Sequence, residues 1–240
     1  MNQNISNRAN FKYMTLITTV VVTLYIVTAI VQNRLVSLHG FDVCAAIFIY
    51  PFSYLFCDIN TEVYGYNITR QLLWCGLLSW VISGLLITMV IGMPTPGYWS
   101  TYSQQWDVVM NPYLRTVSSG IVAVIAGQFI NIYMISKFKI LTRGRYFWVR
   151  SVSSCFMGDL ITTILSLSFI FAGRMSFDKI GHLIAYELFL SIAIQAIFAV
   201  PAIFVVRFLK KSENIDAFDY NVNFNPFKFG ITEDISTSKV

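Results

Sequence analysis

An all-α membrane protein with six transmembrane helices and both termini cytoplasmic is the architecture this sequence predicts, and three observations predict it. Of 240 residues, 56% are hydrophobic and 12% are charged, whereas a soluble domain carries roughly a quarter charged residues. Apolar runs recur at close to the roughly 20 residues that a helix needs to cross a bilayer, without the period-two alternation of an outer-membrane barrel. Basic residues are sorted between alternate loops. Arg8, Lys12, Arg70, Lys137, Lys139, Arg143, Arg145, Arg150, Arg207, Lys210 and Lys211 fall on one side of a six-span layout, and Arg34, Arg115, Arg174 and Lys179 on the other. The positive-inside rule makes the first side cytoplasmic.

Residues 1–12 form a polar N-terminus, 13–211 the six-helix domain, and 212–240 a polar cytoplasmic tail with scattered aromatic residues, to which the sequence assigns no chemistry. The first span, 13–33, is too long for a signal-peptide core and lacks a small-residue cleavage site, so it stays attached. The second, 41–57, is short and carries Pro51, which removes a backbone donor and breaks or kinks a helix. It leads into Asp58-Ile59-Asn60-Thr61-Glu62-Val63-Tyr64-Gly65. There two carboxylates four residues apart share a helix face and need a basic partner; Arg70 and Arg150 fall on the same side. The third span covers 72–92. Behind it Met93 to Pro112 is rich in turn formers and interfacial aromatics and reads as an external loop.

Spans four, five and six, at 115–136, 147–172 and 182–208, each carry a strip with a four-residue repeat. Ser119, Ala123, Gly127 and Asn131 form the first, with Gln128 beside it. Ser154, Gly158, Thr162 and Ser166 form the second, with Asp159 beside it. Glu187, Ser191, Gln195 and Ala199 form the third. Small residues at that spacing are helix-packing surfaces, where backbones approach closely. An ionised carboxylate near the bilayer centre costs about 3 kcal/mol on insertion scales, an expense that marks substrate or ion pathways. Gln128, Asn131, Asp159 and Glu187 are therefore the functional candidates.

Several classes are excluded or disfavoured. The sequence has no HExxH, no GxSxG and no glycine-rich phosphate loop. Cys44, Cys57, Cys75 and Cys155 lie in apolar segments without paired spacing and read as packing residues, so neither a metal nor a disulfide framework is expected. His39 and His182 sit at external edges, suited to solvation rather than catalysis. The expectation is a non-enzyme without a cofactor, embedded in a lipid bilayer, with no nucleic-acid partner and with strips compatible with a homo-oligomer.

The stretch Asp58 to Tyr66, with Ser53-Tyr54 before it and Arg70 after it, resembles the signature of the VUT family of bacterial inner-membrane proteins, the queuosine precursor transporters. Gly127-Gln128-Phe129-Ile130-Asn131 and Gly158-Asp159-Leu160-Ile161-Thr162 resemble that family's later motifs, and the six-span layout agrees over nearly the whole chain. The family pattern has aspartate where this chain has Asn131 and Thr162, and a lysine in the last span where this chain has Ser191 or its neighbours. The resemblance implies uptake of 7-deazaguanine bases by a bundle similar to the substrate-binding subunits of energy-coupling-factor vitamin transporters. A donor-rich base edge calls for a carboxylate acceptor and its carbonyl for an amide, which assigns Gln128, Asn131, Asp159 and Thr162 to substrate. Asp58, Glu62, Arg70 and Arg150 are assigned to a gate or ion pair. A subunit that acts only with a separate energising complex is the alternative.

Overall fold

The computed structural model describes residues 11–38, 40–220 and 222–228; Arg8, His39 and Phe229 lie outside this set. Seven α-helices follow in order: α1 (Met14–Val31), α2 (Tyr50–Tyr64), α3 (Tyr66–Ile91), α4 (Ser100–Met110), α5 (Tyr113–Leu141), α6 (Phe147–Phe171) and α7 (Phe177–Glu213). Among the described residues, α1, α3, α6, α7 and the segment from Gly97 to the end of α5 are long and apolar enough to cross a membrane. Even the β-branched run of α1 is helical, because lipid offers its backbone no other partner. The hydroxyls of Thr18, Thr19 and Thr23 are absorbed by carbonyls one turn back. Large apolar side chains such as Leu85, Phe189 and Phe204 face outward, as lipid solvent permits.

The second predicted span is the departure. Instead of a helix over 41–57, strands β1 (Leu35–Leu38) and β2 (Phe41–Cys44) form an antiparallel hairpin, a 3₁₀ turn follows at Ala45–Phe48, and α2 then runs for 15 residues. Pro51 lies in the first turn of α2. It starts a helix rather than kinking one, because its missing N–H would be unpaired there anyway. At 1.5 Å per residue α2 is about 22 Å long, short of a roughly 30 Å hydrocarbon core. Hairpin and turn make up the remainder, packed against α7, where irregular backbone at depth is tolerated.

Helix α2 is enclosed by α1, α3, α5 and α7, and Asp58, Asn60, Thr61 and Glu62 are all buried. The motif is therefore interior to the bundle. It stops at Gly65, whose φ of +87° a side chain would not adopt readily, and α3 departs from that corner. Helices α5 and α6 are the closest pair. They cross at Gly127 and Gly158, where an added Cβ on Gly127 would lie 2.3 Å from the Gly158 carbonyl. The packing-strip reading is right for these two positions. Within the segment expected to be external, α4 exposes Tyr102 and Trp106, so this segment is more structured than a plain loop.

The first turn of α1, the end of α5, the start of α6 and the end of α7 gather at one end of the bundle, here the basic end. Glu213 accepts from the Lys12 and Tyr13 amides and from the Tyr64 hydroxyl there. Beyond α7 the tail is not featureless. Residues 215–220 and 222–228 run back over α2, α3 and α5 as a strap. Ala217 N–H donates to the Val63 carbonyl, Asp219 accepts from the Tyr66 amide and from Ser136, and Trp74 Nε1 donates to Pro226. Arg70 serves this strap too, donating to the carbonyls of Asn223 and Asn225. Partial burial opposes the charge of Asp216, yet Lys139 and Lys210 outweigh it and hold its carboxyl below the usual range. Trp74→Phe is expected to loosen residues 222–228, read as faster amide exchange there with exchange in α5 and α6 unchanged.

Candidate functional site

Three polar layers are stacked along the inside of the bundle, one for each class of partner that the fold supplies. At the basic end, Glu62 on α2 is ringed by cations. Arg150 from α6 and Lys210 from α7 each lie 2.7 Å from its carboxylate, and Lys139 from α5 lies 3.7 Å away. Lys139 also meets Asp216 and the carbonyls of Glu62 and Ala217. The expected pairing of Arg150 with this stretch is present in the geometry. Four helices and the strap are joined here, and this end of the bundle is shut.

One turn deeper, Asp58 faces a different set. Asn131 Nδ2 donates to it at 2.7 Å, Ser151 at 2.5 Å and the Cys155 thiol at 3.1 Å. Asp58 and Glu62 share a helix face, as the spacing requires, but they do not share partners. Asn131 gives its Nδ2 to Asp58, its Oδ1 has no partner among the described residues, and it is not one of the residues that line the cavity described next.

The third layer is a small cavity of about 60 Å³ in the half of the bundle away from the basic end. Helix α1 contributes Tyr25, Thr28 and Gln32; α2 contributes Tyr50, Ser53 and Tyr54; α3 contributes Trp80. Helix α5 adds Thr116, Val124 and Gln128, α6 adds Thr162, Thr163 and Ser166, and α7 adds Glu187. Tyr25 and Trp80 stack on each other with centroids 5.6 Å apart. Both rings are seated over glycines, since a Cβ on Gly76 would strike Tyr25 and one on Gly120 would strike Trp80.

Gln128 is fully buried, and neither its amide oxygen nor its amide nitrogen has a hydrogen-bond partner of good geometry among the described residues. The polar group beside it is the Cys57 thiol, a weak donor and acceptor. Thr28 Oγ1 and Trp80 Nε1 are unsatisfied in the same wall, while the Tyr25 hydroxyl has the Cys57 thiol beside it and the Tyr50 hydroxyl has Asp159, Ser191 and Thr163. Buried polar atoms are nearly always paired, so a wall with this many unpaired atoms suits a ligand or ordered water. Cys57 and Cys155, expected as plain packing residues, both border polar layers.

Of the four residues expected to bind substrate, two line this cavity. Gln128 does so with its hydrogen-bonding capacity unspent. Thr162 does so with its hydroxyl engaged by Tyr54 at 2.6 Å and by the Gly158 carbonyl. Asp159 is not one of the residues that line the cavity; it accepts from Thr163 at 3.2 Å and from Gln195 at 3.3 Å, and its neighbour Tyr50 does line the space. Glu187, a candidate from its strip but not among the four, is the carboxylate that lines the cavity. Tyr25 and Trp80 could not be singled out among so many aromatic residues.

The family model described as "putative vitamin uptake transporter" matches residues 44–206. The chain belongs to this family. No curated protein and no solved structure matches the chain. The protein is thus a membrane protein of a vitamin uptake transporter family. The matched region contains Gln128, Thr162, Glu187 and the Glu62–Arg150 pair, while α1 with Tyr25 and Gln32, Lys210 and the whole strap lie outside it. Within this vitamin uptake transporter the chain beyond the match thus completes one wall of the cavity and closes the basic end.

Proposed function

We propose that this protein imports queuosine precursors, the 7-deazaguanine bases, across the cytoplasmic membrane, with its basic end in the cytoplasm. The observation that carries the reading is Gln128, a buried amide with both hydrogen-bonding atoms unspent in the wall of an aromatic-lined cavity. An amide offers one acceptor and two donors, which matches the carbonyl and adjacent N–H of a guanine-like edge. Aromatic faces add roughly 1–3 kcal/mol per stacked base in other nucleobase sites. Tyr54, held by Thr162, and the Tyr25–Trp80 pair are positioned to frame such a ring.

In this conformation the cavity lies in the external half and the Glu62 cluster seals the cytoplasmic end. Transport then requires the cluster to part while the cavity closes behind the base, a rocking of one helix group against another about a fixed site. Glu62 and Arg150 act as the inner gate, and Asp58 with Asn131 ties α2 to α5 just above it. Arg70 supports the gate indirectly, by anchoring the strap.

The test is accumulation of labelled 7-deazaguanine bases in cells that lack both their synthesis and their own transporter. Cells expressing the protein are expected to accumulate the base and restore the tRNA modification. Gln128→Ala is expected to weaken apparent affinity roughly ten-fold, the loss of about 1.4 kcal/mol from hydrogen bonds no longer made. Absence of uptake for every precursor, with membrane insertion confirmed, would overturn the proposal.

A further inference from the structure

Glu187 sits in the cavity wall without a counter-ion. It is about 1% exposed. One of its oxygens accepts the Cys44 amide at 2.6 Å, and among the described residues no lysine, arginine or histidine forms an ion pair with it. The ionisable groups nearest to it from the packed elements are Cys44 on β2, Tyr50 on α2 and Asp159 on α6, none of them a cation. Glu62 is the internal comparison: equally buried on the same bundle, it is met by three cations. A buried carboxylate is retained where something pairs with it, and here the space beside it is the cavity.

Gln128 is the independent sign that this space takes a ligand, being fully buried with both amide atoms unpartnered in the same wall. We infer that Glu187 is the specificity-determining residue of the cavity, selecting a flat heteroaromatic ligand that carries a protonated amine or amidine-type group. Such a group supplies the missing charge and donates to the carboxylate, while the ring lies among Tyr25, Tyr50, Tyr54 and Trp80. Charge-assisted hydrogen bonds of this kind are the strong ones. A neutral ligand of the same shape leaves the carboxylate unpaired and is rejected for that reason. The inference rests on the cavity being the binding site proposed above.

Two matched probe pairs test it. The first pair is 7-aminomethyl-7-deazaguanine, a cation, and 7-cyano-7-deazaguanine, which is neutral, in cellular uptake. The wild-type protein is expected to favour the cation by about ten-fold or more, Glu187→Asp to keep the preference, and Glu187→Gln to abolish it by losing the cation alone. Equal uptake of the two by the wild type, or an equal loss of both in Glu187→Gln, overturns the inference. The second pair is benzamidine and benzamide, added to purified protein in a thermal-shift measurement. If neither deazaguanine enters cells, the proposed function falls and this pair decides alone. Stabilisation by benzamidine that is absent with benzamide and absent in Glu187→Gln supports the role of Glu187. Equal shifts, or no shift with benzamidine, overturn it.

Discussion

Glu62→Ala is expected to lower stability by about 3–5 kcal/mol, the usual consequence of removing one partner from a buried charged set. The side chain is about 1% exposed, and its removal leaves Arg150 without an anion in ion-pair contact among the described residues while Lys139 and Lys210 keep only Asp216. Three buried or half-buried cations around one partly exposed carboxylate are poorly compensated, and the ends of α2, α5, α6 and α7 would have to separate to hydrate them. Thermal unfolding in detergent, followed by loss of the monodisperse peak, measures the effect. Asp216→Asn is the contrast, because Asp216 is 19% exposed and its pairs are more nearly surface pairs, each contributing up to about 1 kcal/mol. If Glu62→Ala proves no less stable than Asp216→Asn, the cluster is not the structural lock described. The same ranking bears on the gate: Asp216→Asn is expected to leave uptake measurable, whereas Glu62→Ala abolishes it.

The second large effect is at the α5–α6 crossing. In Gly127→Ala the new methyl group would lie 2.0 Å from Thr162 Oγ1 and 2.3 Å from the Gly158 carbonyl. A hydroxyl can rotate away, but a backbone carbonyl cannot, so the helices must move apart. Overpacking of this kind costs about 1–3 kcal/mol. The separation also pulls Thr162 from Tyr54, so the cavity wall shifts with it. The expected result is a lower unfolding temperature and weakened base uptake together. Gly181→Ala is the control. It lies in α7 with nothing near an added Cβ, and alanine there is expected to be neutral or stabilising by up to about 1 kcal/mol. Equal melting of the two variants would show that Gly127 is not a contact glycine.

Much of the layout was legible because it depends on properties summed over many residues. Apolar runs the length of a bilayer must be helices, since lipid leaves backbone groups no alternative. Small residues every four positions on α5 and α6 had to face a neighbour, and Gly127 meets Gly158 accordingly. The pairing of Arg150 with the Asp58-to-Gly65 stretch followed from charge and side. Gln128 was recognisable as an amide too polar for a lipid face.

What stayed hidden depended on contacts far apart in sequence. Residues 41–57 are apolar enough for a span, and nothing local says that a hairpin and a 3₁₀ turn occupy half of it before α2 begins at its proline. Asn131 and Gln128 sit three residues apart on one helix and look interchangeable, yet the first gives its amide nitrogen to Asp58 and only the second lines the cavity. Asp159 and Glu187 differ in the same way: both are carboxylates in polar strips, and only the second reaches the cavity wall. The strap, a polar tail by composition, owes its order to carbonyls that Arg70, Trp74 and Tyr66 happen to reach.

By itself, then, the sequence determined a helical membrane bundle, its basic end, its packing faces and a short set of polar candidates. Those follow from local hydropathy, spacing and charge, and lipid enforces them residue by residue. The tertiary structure decided which polar groups are spent on one another and which remain for a ligand, because that depends on which helix faces meet and on the space left between them.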